Sequence, residues 1–211
     1  MREKGLKFRD IILKHILNNK KEYIIVTLLF IIGIFVGVFF VNNLDENSRS
    51  SVQEYLNNFV EKFKQIEKLD NISLLKTSII QNIIFAVTLW FFGTTVIGIP
   101  IVFGIIIYRG FCFGYTISVC VSIMGISKGL IFTLVNLLLP SLIIIPAILA
   151  IGVSGFKLYK SIVKDRAKEN IKLEIIRHTV FSGIMLLVMI LSSLVEVFIC
   201  TNILKGIIKY F

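Results

Sequence analysis

Few side chains in this 211-residue chain are of the kinds that do chemistry, and most of those stand among apolar neighbours. Arg109, in YRGFCFG, and Glu196, in MLLVMILSSLVEVFIC, are charges inside or beside long uncharged runs. A charge at the centre of a membrane span costs about 2.5–3.5 kcal/mol on insertion scales and often marks function. Three readings are open. Glu196 is a buried, hydrogen-bonded structural residue while Arg109 snorkels; or the two pair and lock two helices; or they belong to a proton or substrate pathway, which usually needs several ionisable groups in series. Met185, Met189, Ser192, Glu196 and Cys200 recur at helical spacing, so they share a face expected to look inward.

The remaining candidates are sparse. There is no paired-carboxylate arrangement, no Ser-His-Asp set and no phosphate loop. We therefore expect no catalytic residue, no cofactor and no metal ligand, and a protein that is not an enzyme. His15 reads as part of a basic amphipathic interface, and His178 as the end of a basic loop without a metal partner at helical spacing. Cys112, Cys120 and Cys200 fall in apolar runs and read as small buried hydrophobes. Gly33/Gly37 and Gly110/Gly114 are small-xxx-small pairs that let helices approach.

The elements that carry these residues follow from where charge is missing. Residues 23–44, 77–108, 110–127, 129–156 and 179–195 hold no Lys, Arg, Asp or Glu. A bilayer core needs about 20 apolar residues as helix. LLFIIGIFVGVFF does not alternate, which excludes a membrane β-barrel. The expected fold is an all-α integral membrane protein, a bundle of about five transmembrane helices with one proline-broken helix and a cytoplasmic N-terminus. The spans fall at about 23–41, 79–97, 99–124, 129–155 and 179–204. Gly93, Gly98 and Pro100 place a turn in FGTTVIGIP; the alternative is a turn at Arg109-Gly110.

Orientation follows from Lys and Arg counts. Segments 1–22 and 157–178 hold seven each, and five spans put both on one side. The chain divides into a basic amphipathic cytoplasmic segment (1–22), an anchor (23–41), an extracytoplasmic loop (42–78), a four-span bundle (79–204) with a basic cytoplasmic loop (157–178), and an extracytoplasmic tail (205–211). The net charge of +10 sits beside membrane runs, so nucleic acid is not the expected partner; the lipid bilayer is. Within the outer loop, Val52, Tyr55, Leu56, Phe59, Phe63 and Ile66 lie along one helical face, and Ser51 with Glu54 forms a capping-box start. That amphipathic helix either lies on the bilayer or bundle, or docks a partner.

LLLPSLIIIPAILAIG carries Pro140 and Pro146 in an uncharged stretch. Proline removes a backbone donor and clashes with the preceding turn. Asn136, four residues earlier, and Ser141 are placed to meet freed backbone groups. Two prolines six apart kink separate turns on different faces, leaving a broken or re-entrant first half, 129–145. Discontinuous helices of this kind occur at transporter sites, so a transporter or permease subunit is the competing reading.

The order of YIIVTLLFIIGIFVGVFFVN, a loop of this size, QNIIFAVTLWFFGTTVIGIP, YRGFCFGYTISV and LLLPSLIIIPAILAIG resembles the stage II sporulation protein M family over essentially the whole chain. The wider family often has Asn-Gly at the position of Arg109-Gly110, and a His and a Glu in the proline segment where Ser141 and aliphatic residues stand here. The resemblance implies a non-enzymatic membrane scaffold at the sporulation septum or engulfing membrane of the mother cell. It implies partners, the stage II sporulation proteins D and P, that cut peptidoglycan during septal thinning and forespore engulfment. Docking on the outer helix then falls to Tyr55, Phe59 and Phe63.

Overall fold

The computed structural model describes residues 15–65, 70–164 and 171–207, all helix or short turn with no strand among them. Ile66, placed on the apolar face of the outer helix by the sequence, and residues 1–14 of the basic N-terminal segment lie outside these residues. The elements are α1 (Lys20–Asn42), α2 (Glu46–Gln65), α3 (Asn71–Gly93), α4 (Gly98–Met124), α5 (Ile126–Thr133), α6 (Leu139–Lys164), α7 (Ile171–Val195) and α8 (Thr201–Ile207). Five-residue π-helical turns, Leu134–Leu138 and Glu196–Cys200, join α5 to α6 and α7 to α8. Five helical runs are long and apolar enough to cross a membrane: α1, α3, α4, Ile126–Val163 and Ile171–Gly206.

The outer surface is apolar, as a lipid-facing surface must be. Phe35 and Phe39 on α1, Leu142 on α6 and Leu187 on α7 are well exposed. The interior is close-packed: Val26, Leu89, Val102, Ile106, Ile151, Val153 and Met189 have no accessible surface. Chain reversals follow local chemistry. The α3–α4 turn falls at residues 94–97, within FGTTVIGIP, so Arg109 lies inside α4 and not at a turn. Gly125 reverses α4 into α5 at φ 82°, a conformation a side chain resists.

Close backbone approach fixes α1 against α4. A Cβ added at Gly33 would fall on the Ile107 carbonyl oxygen, and one at Gly37 on that of Phe111. Reciprocally, a Cβ at Gly110 would strike Phe30 O, and one at Gly114 would strike Ile34 O. Both glycine pairs therefore face each other across a single seam, the packing that small-xxx-small spacing allows.

Several sequence-based boundaries move. The outer helix starts at Glu46, because Asp45 caps it: Asp45 Oδ2 accepts from the Ser48 N–H at 3.2 Å. Ser51 is no cap; it lies within α2 and its hydroxyl donates to Asn47 O at 3.0 Å. α3 begins at Asn71 and not at 79, with Asp70 Oδ1 accepting from Ile72 and Ser73 N–H. The predicted 42–78 loop thus contains α2 and the first turns of α3. The basic 157–178 loop is largely helical too: α6 continues to Lys164 and α7 starts at Ile171.

The proline break takes the form of a widened turn. Helix continues from Ile126 to Val163, so 129–145 does not form a separate re-entrant piece. Leu139 N–H donates to Leu134 O, five residues back. The extra residue in that turn opens the backbone just ahead of the Pro140 ring, which a regular helix would press against the carbonyl four residues earlier. Pro146 sits within α6 on an exposed face, whereas Pro140 is buried, so the two do occupy different faces.

Replacing Gly110 by Ala should separate α1 from α4 and destabilise the protein by about 1–3 kcal/mol, the usual cost of overpacking. Gly104→Ala, where nothing lies within 4 Å of the added Cβ, should leave the detergent thermal midpoint unchanged. Equal midpoints for the two variants would contradict the seam.

Candidate functional site

The polar side chains of α3 and α7 meet one another. Ser78 Oγ donates to Glu196 Oε2 at 2.6 Å. Asn82 Nδ2 donates to Ser193 Oγ at 2.8 Å and to Met189 O at 3.3 Å. Ser192 Oγ donates to the Pro140 carbonyl at 2.9 Å, tying α7 to the proline segment. Thr201 meets Glu196 O through both its N–H and its hydroxyl at 3.0 Å, which closes the second π turn. Met185, Met189, Ser192 and Cys200 are buried, as their shared face predicts, and Glu196 is half-buried beside them.

Arg109 and Glu196 have different partners. The Arg109 guanidinium lies 5.4 Å from the centre of the Phe85 ring, a cation–π contact. Arg109 borders a cavity of about 330 Å³ between α3 and α4, with Gln81, Phe85, Tyr108 and Cys112 on its walls and Ile148 at its floor. Asn136 stands half-buried inside the first π turn; no hydrogen bond links its side chain to another described residue. The turn's own geometry, not Asn136, accommodates Pro140.

The apolar face of α2 is divided. Leu56, Val60 and Phe63 seat against Cys120, Phe132, Val135 and Leu204. Phe59 stacks on Phe63 at 5.9 Å and meets Phe132 edge-on at 6.4 Å. Arg49 Nη2 donates to Ser122 Oγ at 2.6 Å, fastening the start of α2 to the end of α4. Tyr55 is 74% exposed. Of the three aromatics singled out from sequence, Phe63 packs inward, Phe59 straddles the edge, and Tyr55 stays available. Val60, which the sequence reading passed over, lies between Phe59 and Phe63 on the seated side.

At the opposite end the two histidines pack instead of facing solvent. His178 is 2% exposed. Its Nε2–H points at the Trp90 carbonyl, 3.4 Å away, so Nδ1 accepts from Ser154 Oγ at 2.9 Å. A Cβ at Gly93 would lie 2.9 Å from His178 Nε2, so that glycine makes room for the ring. His15 stacks on Phe181 at 4.1 Å and shares a 3.1 Å hydrogen bond with the Tyr23 hydroxyl. Around them Glu174 pairs with Lys157 and Arg177, and Lys160 pairs with Glu22 at 2.6 Å. Sequence reasoning missed this cluster. Its one local signal is the spacing of His178 four residues after Glu174 on an apolar-faced helix.

An all-α bundle of five apolar spans, held by a satisfied polar seam and carrying a surface helix at one end, defines a multi-pass membrane protein. A family model for stage II sporulation protein M matches residues 26–201, and the chain belongs to that family. It is thus a sporulation-related membrane protein. No curated protein matches the chain, and no solved structure does.

Asn82→Leu removes both bonds to α7 and should lower unfolding free energy by about 1–2 kcal/mol, given about 0.6 kcal/mol and at most ~1.7 per interhelical bond. Glu196→Gln keeps an acceptor for Ser78, so spore yield should be unchanged; a collapse in yield with normal insertion would point to a proton role.

Burial first, then the positive charge of Lys157 and the neighbouring His178, lowers the His15 pKa from 6.5 to about 4. The folded protein then binds fewer protons than the unfolded chain between those values. His15 contributes full stability above pH 6.5, lost progressively as pH falls toward 4. Thermal midpoints should drop across that window and drop less in His15→Asn; identical profiles would exclude His15 as the sensor.

Proposed function

We propose that the protein is a membrane scaffold that recruits and localises peptidoglycan-degrading proteins at the sporulation septum, for septal wall thinning and forespore engulfment. It has no catalytic role of its own. The N-terminus and the basic ends of α6 and α7 lie in the cytoplasm, and α2 lies outside, in the membrane of the mother cell. The partners are the stage II sporulation proteins D and P, on the family resemblance.

The observation that supports this reading is the placement of α2. One face is clamped to the bundle by Leu56, Val60, Phe63 and the Arg49–Ser122 bond. The other presents Glu54, Tyr55, Asn58, Glu61 and Lys62, all exposed. A helix seated on the bundle with a mixed polar face and one free aromatic presents a partner with a surface already folded before binding. The transporter reading requires polar groups lining a midplane cavity. The buried polar groups of α3 and α7 are turned on one another instead, and the cavity beside Arg109 and Gln81 opens toward the exposed Ile84 and Tyr108 on the lipid-facing side of α3 and α4.

Tyr55→Ala should lower co-purification of the D and P proteins roughly fivefold or more, the loss of an aromatic contact worth about 1 kcal/mol, without altering insertion. Phe63→Ala should instead lower stability of the α2 seat. Undiminished recovery in a Tyr55→Ala, Asn58→Ala, Lys62→Ala variant would move docking away from α2.

A further inference from the structure

Arg109 lies eleven residues after Gly98 and fifteen before Met124, about 16 and 22 Å along the helix axis. The hydrocarbon core is about 30 Å thick, so this cation sits near its middle, beyond easy snorkelling to either surface. The guanidinium has five N–H donors. Among the described residues no carboxylate pairs with it and no acceptor bonds it; it has only the Phe85 face. Gln81, one turn from Phe85 on α3, is exposed and bonds to no described residue through its side chain. Both groups border the same cavity of about 330 Å³, floored by Ile148. Its rim is lipid-facing, because Ile84 and Tyr108 are 61% and 62% exposed.

Elsewhere in these spans Ser78, Asn82, Ser192 and Ser193 find partners inside the bundle. Here a cation and an amide converge on an outward-opening cleft and stay unmet. In hydrocarbon, ionisable groups pair with one another or with backbone carbonyls. The geometry points to a partner: we infer that the α3–α4 cleft seats a transmembrane helix of another protein that carries an aspartate or glutamate at mid-depth. The carboxylate meets the Arg109 guanidinium in a charge-assisted, two-bond contact, and Gln81 supplies a further hydrogen bond. This interface is separate from α2 and does not depend on the docking role given to it.

The test uses the full-length protein in phosphatidylcholine vesicles and a synthetic polyleucine transmembrane peptide, at low peptide-to-lipid ratio and pH 8. Energy transfer between labelled protein and labelled peptide reads association. A peptide with one central Asp should associate at least tenfold more tightly than peptides with Asn or Leu there. Arg109→Gln should abolish that preference, and Arg109→Lys, which keeps the charge but not the two-bond fork, should keep only part of it. Equal association of the Asp and Asn peptides overturns the inference, and that comparison uses the unaltered protein, so no substitution need fold. Two other outcomes also overturn it. One is self-association of the protein, without peptide, that Arg109→Gln removes, which would give the cleft to a second copy. The other is displacement of the peptide by phosphatidylglycerol, which would give it to an anionic lipid.

Discussion

Inside hydrocarbon a polar group has no water to return to, and each one left unmet costs several kcal/mol. The architecture is organised by that constraint. Helices meet their own backbone groups, and the places where helical bonding must deviate are handled locally. The turn before Pro140 widens by one residue, and the Pro140 carbonyl gains a bond from Ser192. The turn at Glu196 widens likewise, with Thr201 doubling the bond to its carbonyl. The side chains on α3 and α7 that could disturb the span satisfy each other, and so the polar groups become the fastening between helices. Ser182 Oγ, buried without a partner, is a small exception, and the Arg109 cleft is the large one.

Two kinds of contact divide the work of assembly. Between α1 and α4 the glycines bring backbones together, and dispersion between close surfaces holds them. Between α3, α6 and α7, directional bonds set the register. The first tolerates no added carbon, while the second tolerates only substitutions that keep a donor or acceptor. Together they tie the spans into the bundle on which α2 rests. At the other end, ion pairs and the buried histidines knit α1, α6 and α7.

Much of this was legible in the sequence because absence of charge over about 20 residues has one main physical meaning. The five spans, the reversal after Phe92 and the inward face of Met185, Met189 and Ser192 follow from it. Helix starts were less legible. Asp45 and Asp70 cap α2 and α3, yet each lies in polar sequence where Ser51 looked equally suitable. The partners of Glu196 and Ser193 could not be read, because Ser78 and Asn82 respectively lie more than 100 residues away and nothing local marks them. His178 looked solvated because it closes a basic segment; the helix simply begins earlier, which carries the ring into a niche beside Gly93. The division of the α2 aromatics depends on where α5 and α8 pass beneath the helix, and helical periodicity reports a face without saying how much of it is covered.

The scaffold reading rests on α2 standing outside the cytoplasm, since wall-cutting partners act there. The most direct measurement is labelling of intact cells with a membrane-impermeant maleimide, in protein whose three native cysteines are replaced. One cysteine is placed at Asn58 on the exposed face of α2, and in a second variant at Lys20. The Asn58→Cys protein should label in intact cells, and the Lys20→Cys protein only after lysis. The reverse pattern would place α2 in the cytoplasm, out of reach of wall-cutting partners.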